Sequence, residues 1–384
     1  MNIKRFLFTI LAVAVATATF AGTKSQESFN DGWRFHKGAA EGAEQVSYDD
    51  SKWRSLDLPH DWAIEGPFSE EYNARCGGLP YHGTGWYRKS FFVKPSEEGR
   101  VVNITFDAAM SNSTVWVNGV EVGSRPFGYV GFKYDISKYL KYGEQNVIAV
   151  RLTPEDYSSR WYPGAGLYRN VWLSSDFKTH IPQWGTFVTT PTVTDKLAVV
   201  QVETEVQNDS SSDQTVTLNY AIISPENKVV AKRSETLFVK ANSTAMAGVW
   251  IDVKEPKRWD VETPNLYKVS IKMLSRDTPI DESETTFGIR TITYDPDGIY
   301  INGEMVRFNG VCLHHDNGPL GGAQYDRADE RKLQIMKEMG ANAVRTAHNP
   351  PSPEFMDLCD KLGLYVLVET FDMWRVQKTP QDYS

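Results

Sequence analysis

Cysteine is scarce in this sequence. Cys76, Cys312 and Cys359 are the whole complement of 384 residues, too few and too scattered for a disulfide framework or a zinc site, which leaves packing as their role. Basic runs are missing beyond the first few residues. With a formal charge of −8, the chain lacks the cationic face that nucleic-acid binding requires. Apolar runs of membrane length are missing as well. Residues 6–16 are apolar but fall short of the roughly 20 residues that span a bilayer. They follow Lys4 and Arg5 and lead into small residues, with Thr19-Phe-Ala21 as a cleavage site. Residues 1–21 therefore read as a secretory signal peptide, with an uncleaved N-terminal anchor as the competing reading. No cysteine precedes Cys76, so a lipoprotein anchor is not expected. Export to the periplasm or the exterior is.

What is present is an ordinary globular composition, 41% hydrophobic, over a length that predicts two or three domains. Residues 22–175 read as β throughout. Thr114-Val-Trp-Val117 and Val120-Glu-Val122 flank Asn118-Gly119, the dipeptide that suits a two-residue hairpin turn. Residues 146–152 and 170–173 give further short strands, and such strands between Gly and Pro turns predict a sandwich or jelly roll. Residues 176–293 form a second β unit. Val200, Val202 and Val206 alternate with polar neighbours, as do Val216, Leu218 and Tyr220, and Tyr267, Val269, Ile271 and Met273. One apolar and one wet face is the pattern of an antiparallel, immunoglobulin-like sandwich. A second Asn-Gly turn, Asn302-Gly303, leads into the last region, 294–384.

That region changes period. A strand over 305–311 ends near His314 and His315. A helix capped by Asp326, with Leu333, Ile335, Met336 and Met339 as its apolar residues, closes at Gly340. A short strand, Ala343-Val344, ends in Arg345 and is followed by His348. Ser352 caps a second helix with Pro353 at its first position, carrying Phe355, Leu358, Cys359 and Leu362 and ending at Gly363. A strand over 364–368 then ends on Glu369. This is β-α-β-α-β with a polar cluster after each strand, the arrangement from which a (β/α)8 barrel builds its active site.

Three blocks of this region carry a family resemblance: Phe308-Asn-Gly-Val-Cys-Leu-His-His315, Met336-Lys-Glu-Met-Gly-Ala-Asn-Ala-Val-Arg-Thr-Ala-His-Asn-Pro350, and Leu358-Cys-Asp-Lys-Leu-Gly-Leu-Tyr-Val-Leu-Val-Glu369. They resemble the start of the catalytic TIM barrel of family 2 glycoside hydrolases, the β-galactosidase, β-glucuronidase and β-mannosidase group. Phe29-Asn-Asp-Gly-Trp-Arg-Phe35, Leu58-Pro-His-Asp-Trp62, Gly85-Trp-Tyr-Arg88 and Gly164-Ala-Gly-Leu-Tyr-Arg-Asn-Val-Trp-Leu173 are similar to that family's jelly-roll sugar-binding domain. Pro264-Asn-Leu-Tyr267 and Phe287-Gly-Ile-Arg290 are similar to its immunoglobulin-like spacer. The resemblance implies an exported, retaining exo-β-glycosidase, β-galactosidase-like, acting on a β-linked oligosaccharide or glycoside. It implies no organic cofactor, and it leaves a divalent cation and homo-oligomerisation open.

The resemblance places His314, Arg345 and His348 in the pocket for the terminal sugar, with Asn349, Glu369, Asp372 and Trp374 as further lining residues. Two departures touch specificity. Arg160 stands where some relatives carry an acid, and an arginine cannot accept a hydroxyl hydrogen bond. Val368 replaces the Asp of an Asp-Glu pair. Most aromatic residues of the first domain are expected in its core rather than against sugar. The nucleophile and acid/base glutamates of the family are expected beyond Ser384. Residues 299–384 make up only about a third of the roughly 250 residues of a complete barrel, so the sequence reads as an N-terminal fragment. A non-catalytic carbohydrate-binding protein made of the two β domains is the alternative.

Overall fold

The computed structural model describes residues 24–72, 83–156, 158–372 and 375–381. The signal-peptide segment, Cys76 and Trp374 lie outside the described residues. Among the described residues, no helix is long and apolar enough to cross a membrane.

The first domain is two antiparallel sheets laid face to face. One holds Ser25–Ser28, Val171–Asp176, Val101–Phe106 and Phe132–Asp135 in that order. The other orders Arg54–Leu56, Trp33–Lys37, Gly85–Phe92, Gln145–Leu152, Ser113–Val117 and Val120–Arg125. Trp33, Trp62, Tyr87, Ile104, Phe106 and Ile148 are fully buried between them, which is where the pattern placed most of the aromatics. The turn at Asn118-Gly119 has φ of 52° and 82°, the left-handed pair that matches strand twist in a tight hairpin. Asn118 holds it there by donating to Tyr139 O at 2.8 Å and Asn146 Oδ1 at 2.7 Å.

The second domain is also a sandwich. Strand Leu197–Asn208 pairs along its whole length with Ser243–Lys254 and is flanked on its other edge by Thr186–Val193 and Thr179–His180. The facing sheet orders Val229–Val239, Gln214–Ile223, Leu266–Ser275 and Thr278–Gly288. Every valine, leucine, isoleucine, methionine and tyrosine named in the alternating pattern is buried. A one-residue slip would turn that whole set to water, so the pattern itself pins the register.

The third region contains three parallel strands, Gly310–Leu313, Ala343–Thr346 and Tyr365–Val368, joined by helices Asp326–Glu338 and Pro353–Leu362. Three sequence expectations are corrected here. The first strand begins at Gly310 rather than 305, because Glu304–Met305 still belongs to the Asn302-Gly303 hairpin, with Met305 opposite Tyr300. The first helix is capped at Tyr325, with no side-chain cap, and Asp326 is its first helical residue. Of its expected apolar residues only Leu333 is fully buried, while Ile335 and Met339 are exposed. At 3.6 residues per turn, positions 333 and 335 stand on nearly opposite sides of the axis and cannot both face a core. The second helix follows expectation. Ser352 Oγ accepts from Phe355 N at 3.2 Å, Pro353 opens the first turn, and Gly363 ends it at φ 75°.

The domains are joined by buried polar contacts. Asp61, 3% exposed, is the hub of one such joint. Its Oδ1 accepts from Ala63 N and Ala165 N, both at 2.9 Å, and its Oδ2 accepts from Tyr162 Oη and from Gly322 N at 2.6 Å. One carboxylate thus ties two first-domain loops to a barrel loop. The glycines there are steric requirements. A Cβ on Gly321 would sit 2.4 Å from Asp61 Oδ2, and one on Gly166 would sit 2.2 Å from His60 O. On the other side, Trp259 Nε1 of the second domain donates to Asp360 O at 2.8 Å, and Lys337 Nζ bridges Val261 O and Gly363 O.

Candidate functional site

Parallel pairing sets Cys312 beside Arg345 and Arg345 beside Leu367. The residues just past these positions, His314, His348 and Glu369, therefore leave the sheet together at its C-terminal edge. Arg345 Nε donates to Glu369 Oε1 at 2.7 Å, and a second guanidinium nitrogen donates to the same oxygen. The other carboxylate oxygen meets His348 Nδ1 at 3.0 Å, while Glu369 N donates to Thr346 Oγ1 at 3.2 Å. Burial pulls the Glu369 carboxyl upward, but the hydrogen bonds from Arg345 and His348 outweigh it and hold the group below the ordinary carboxylate range. It is ionised at neutral pH and organises its neighbours.

His314 enters from the first strand. Its ring meets His348 edge-on, 5.3 Å between centroids, and lies flat on Trp161 of the first domain at 4.2 Å and 9°. Trp161 is held there by its indole N–H, which donates to Asp316 Oδ1 at 2.9 Å, and the ring stays 44% exposed. Burial, then the neighbouring His348, holds the His314 imidazole below its ordinary value. At pH 7 it is neutral, with one ring nitrogen bonded to the Ala347 backbone and the other left to bond.

Arg160, next in chain to Trp161, reaches across to Asp372 with a two-pronged contact: Nε to Oδ2 at 2.9 Å and a second nitrogen to Oδ1. Lys378 Nζ adds a contact to Oδ1 at 3.2 Å. Burial pulls the Asp372 carboxyl up, but Arg160 and Lys378 outweigh it and keep it below its usual range. Together with Arg345, His348 and Glu369 these residues line an open cleft of about 340 Å³.

Of the residues expected from sequence, Arg345, His348, Glu369 and Asp372 line this cleft and His314 adjoins it. Asn349 lines a small separate cavity with His314, His315 and Gln324, so His314 stands between that cavity and the cleft. His315 itself is a joint, its Nε2 facing Pro163 O at 3.0 Å between the edges of Tyr129 and Tyr168. Cys359 is buried in the barrel core, but Cys312 is exposed on its strand, with Sγ 3.6 Å from Arg345, so packing accounts for only one of them. Among the described residues, no group of three or more His, Cys, Asp or Glu side chains could hold a metal ion.

The whole arrangement matches known protein families. The profile described as "Glycosyl hydrolases family 2, sugar binding domain" matches residues 27–176, "Glycosyl hydrolases family 2" matches 179–290, and "Glycosyl hydrolases family 2, TIM barrel domain" matches 293–379. The chain belongs to glycosyl hydrolase family 2. It is 44% identical over 375 residues to the beta-galactosidase BoGH2A of Bacteroides ovatus, covering 97% of this chain and 44% of that protein. To a putative beta-glucuronidase of Formosa agariphila it is 39% identical over 363 residues, 94% of this chain and 34% of the relative. A crystal structure of a family 2 member from Bacteroides cellulosilyticus superposes with a TM-score of 0.90 at 38% identity, covering 93% of this chain and 47% of that one. The chain thus spans less than half the length of these relatives.

Reading the sequence of this family 2 chain missed Trp161, Asp316 and Lys378, and gave Arg160 only as a departure. Arg160 and Asp372 stand 212 positions apart, Trp161 and Asp316 155 apart. No local pattern links such pairs. Only the docking of the jelly roll on the barrel brings them together.

Proposed function

We propose that this family 2 chain builds the sugar-holding wall of a retaining exo-β-glycosidase, β-galactosidase-like in specificity. The observation that carries the proposal is the constellation of Arg345, Glu369, His348 and His314 at one strand edge, closed on one side by Trp161 and Arg160 from the jelly roll. The neutral His314 imidazole and the hydrogen-bonding His348 ring suit hydroxyls, the indole offers a face for the C–H side of a pyranose, and the side wall suits a terminal sugar. The charges favour a neutral sugar over a uronate. Arg345 is committed to Glu369, and Arg160 and Lys378 to Asp372, so among the described residues these three cations of the cleft already have carboxylate partners other than a sugar's.

Retaining hydrolysis needs two carboxyl groups roughly 5–5.5 Å apart, one as nucleophile and one as acid/base. Glu369 and Asp372 are each tied to a guanidinium, and we assign them to holding sugar and neighbours rather than to bond cleavage. The proposed reaction calls for no organic cofactor. The whole protein is expected to turn over nitrophenyl β-galactoside with a higher kcat/KM than the glucuronide or mannoside, and a polypeptide of residues 22–384 is expected to turn over none. A preference for the glucuronide would overturn the specificity. Turnover by residues 22–384 that is lost on Glu369→Gln would make Glu369 catalytic. Sugar binding without turnover by the whole protein would leave the non-catalytic reading.

Export is proposed from the charge and apolar pattern of residues 1–21. N-terminal sequencing of the mature protein is expected to start near Gly22, and a soluble product beginning at Met1 would contradict it.

A further inference from the structure

Behind the loop that carries His348, jelly roll and barrel meet through carboxyl groups. Asp107 stands just past the strand Val101–Phe106 and is buried. Its Oδ2 accepts from Trp172 Nε1 at 2.8 Å, and its backbone N–H donates to Asn170 O at 3.0 Å. Facing it from the barrel are Glu354, in the first turn of Pro353–Leu362, and Asp326, which opens Asp326–Glu338. Glu354 accepts a hydrogen bond from the Asn170 side chain, whose Oδ1 accepts in turn from Asn30 Nδ2 at 2.9 Å. Three acids from three elements thus converge on one joint.

Positive charge does not cancel them. Among the described residues, the cations that face Asp107 are Arg169 and Lys133. Arg169 is buried, but its three nitrogens donate to Gln324 Oε1, Tyr129 O and Pro350 O, all neutral acceptors. The bond to Pro350 makes it a tether on the loop just past His348. Lys133 is exposed, on the wall of a cavity of about 460 Å³ that Asp107, Arg169, Pro350 and Pro353 also line. That cavity leaves the joint incompletely packed and gives water, and so protons, a way to it.

The three acids are not equal. Glu354 and Asp326 sit in the first turns of helices, where the helix dipole favours a negative charge. Asp107 follows a strand and has no such support. Burial, and then the charges of Glu354 and Asp326, push its carboxyl up to about 6, against the indole hydrogen bond and Arg169. Burial, then Asp326, raises Glu354 as well. We propose that Asp107 and Glu354 form a proton-operated clamp behind the His348 loop: with a proton on Asp107 the jelly roll holds the barrel tightly, and loss of that proton sets two carboxylates against each other and loosens the joint. A carboxyl raised on folding supports the docked state fully below its ordinary range, about 4, and withdraws that support as pH rises through about 6. The clamp is therefore tighter in acid than at neutral pH. Its action does not depend on which sugar the cleft takes.

Thermal melting of the whole protein from about pH 4 to about pH 8 tests this with Asp107→Asn, which keeps an acceptor for Trp172 and carries no charge. The variant is expected to melt a few degrees above the parent at about pH 7.5, and the difference to vanish toward about pH 4. Hydrogen exchange across residues 352–356, corrected for the intrinsic effect of pH, is expected to quicken between about pH 5 and about pH 7.5 in the parent and not in the variant. Glu354→Gln should flatten the parental melting profile in part, because it removes the charge that Asp107 meets. It also carries the test if Asp107→Asn fails to fold. A melting difference between Asp107→Asn and the parent that is the same at both ends of the range would overturn the proposal. So would exchange at 352–356 that ignores pH, or a parental profile in Glu354→Gln.

Discussion

Arg345→Ala is expected to lower kcat/KM on aryl β-galactosides by about 10²–10³ in the whole protein, the scale of losing one pre-organised transition-state contact, because Glu369 and His348 lose the group that holds them in position. Its stability should barely move, because the Arg345 side chain is 41% exposed and an ion pair of that kind contributes little to folding. The loss should fall on kcat as well as KM, since Glu369 loses the partner that orients it and with it the fixed position of His348. His348→Ala is expected to act in the same direction. Steady-state kinetics with circular dichroism on each variant checks this. Parental kinetics in both would remove these residues from the proposed sugar pocket.

Asp61→Ala should be the most damaging change outside the cleft. Four buried donors converge on that carboxylate: Ala63 N, Ala165 N, Tyr162 Oη and Gly322 N. Each donor left unsatisfied costs about 1–3 kcal/mol, so the joint between jelly roll and barrel is expected to lose about 4 kcal/mol or more. Asp61→Asn keeps an acceptor for part of the set and should cost less. Because Arg160 and Trp161 sit on the loop that this joint anchors, activity should fall with it although Asp61 touches no cleft residue. Thermal melts and limited proteolysis read the effect. An unchanged melting temperature in Asp61→Ala would show that the hub is dispensable.

Local patterns carried much of this architecture. The Asn118-Gly119 and Asn302-Gly303 turns were readable because few residues tolerate positive φ at two successive positions. The alternation around Val200, Leu218 and Ile271 was readable because a half-buried strand has a period of two. The caps Ser352 and Gly363 were readable because each satisfies an orphan group within its own turn. The expectations failed where local and longer-range pairing competed. The first barrel strand starts at Gly310 because the hairpin through Met305 claims the preceding residues. The exposed Ile335 and Met339 show that apolar content does not by itself define a helix face.

The site divides along the same line. Arg345, His348 and Glu369 could be read from sequence because each sits at or just past a strand end, and in parallel strands those ends share one edge. The sequence by itself therefore determined the three-part order of the chain and the inner wall of the cleft. Only the tertiary structure decided the outer wall. Arg160 on Asp372, Trp161 on His314 and Asp61 on Gly322 are contacts between domains. Their geometry depends on how two independently patterned surfaces dock, and no periodicity within either segment encodes that.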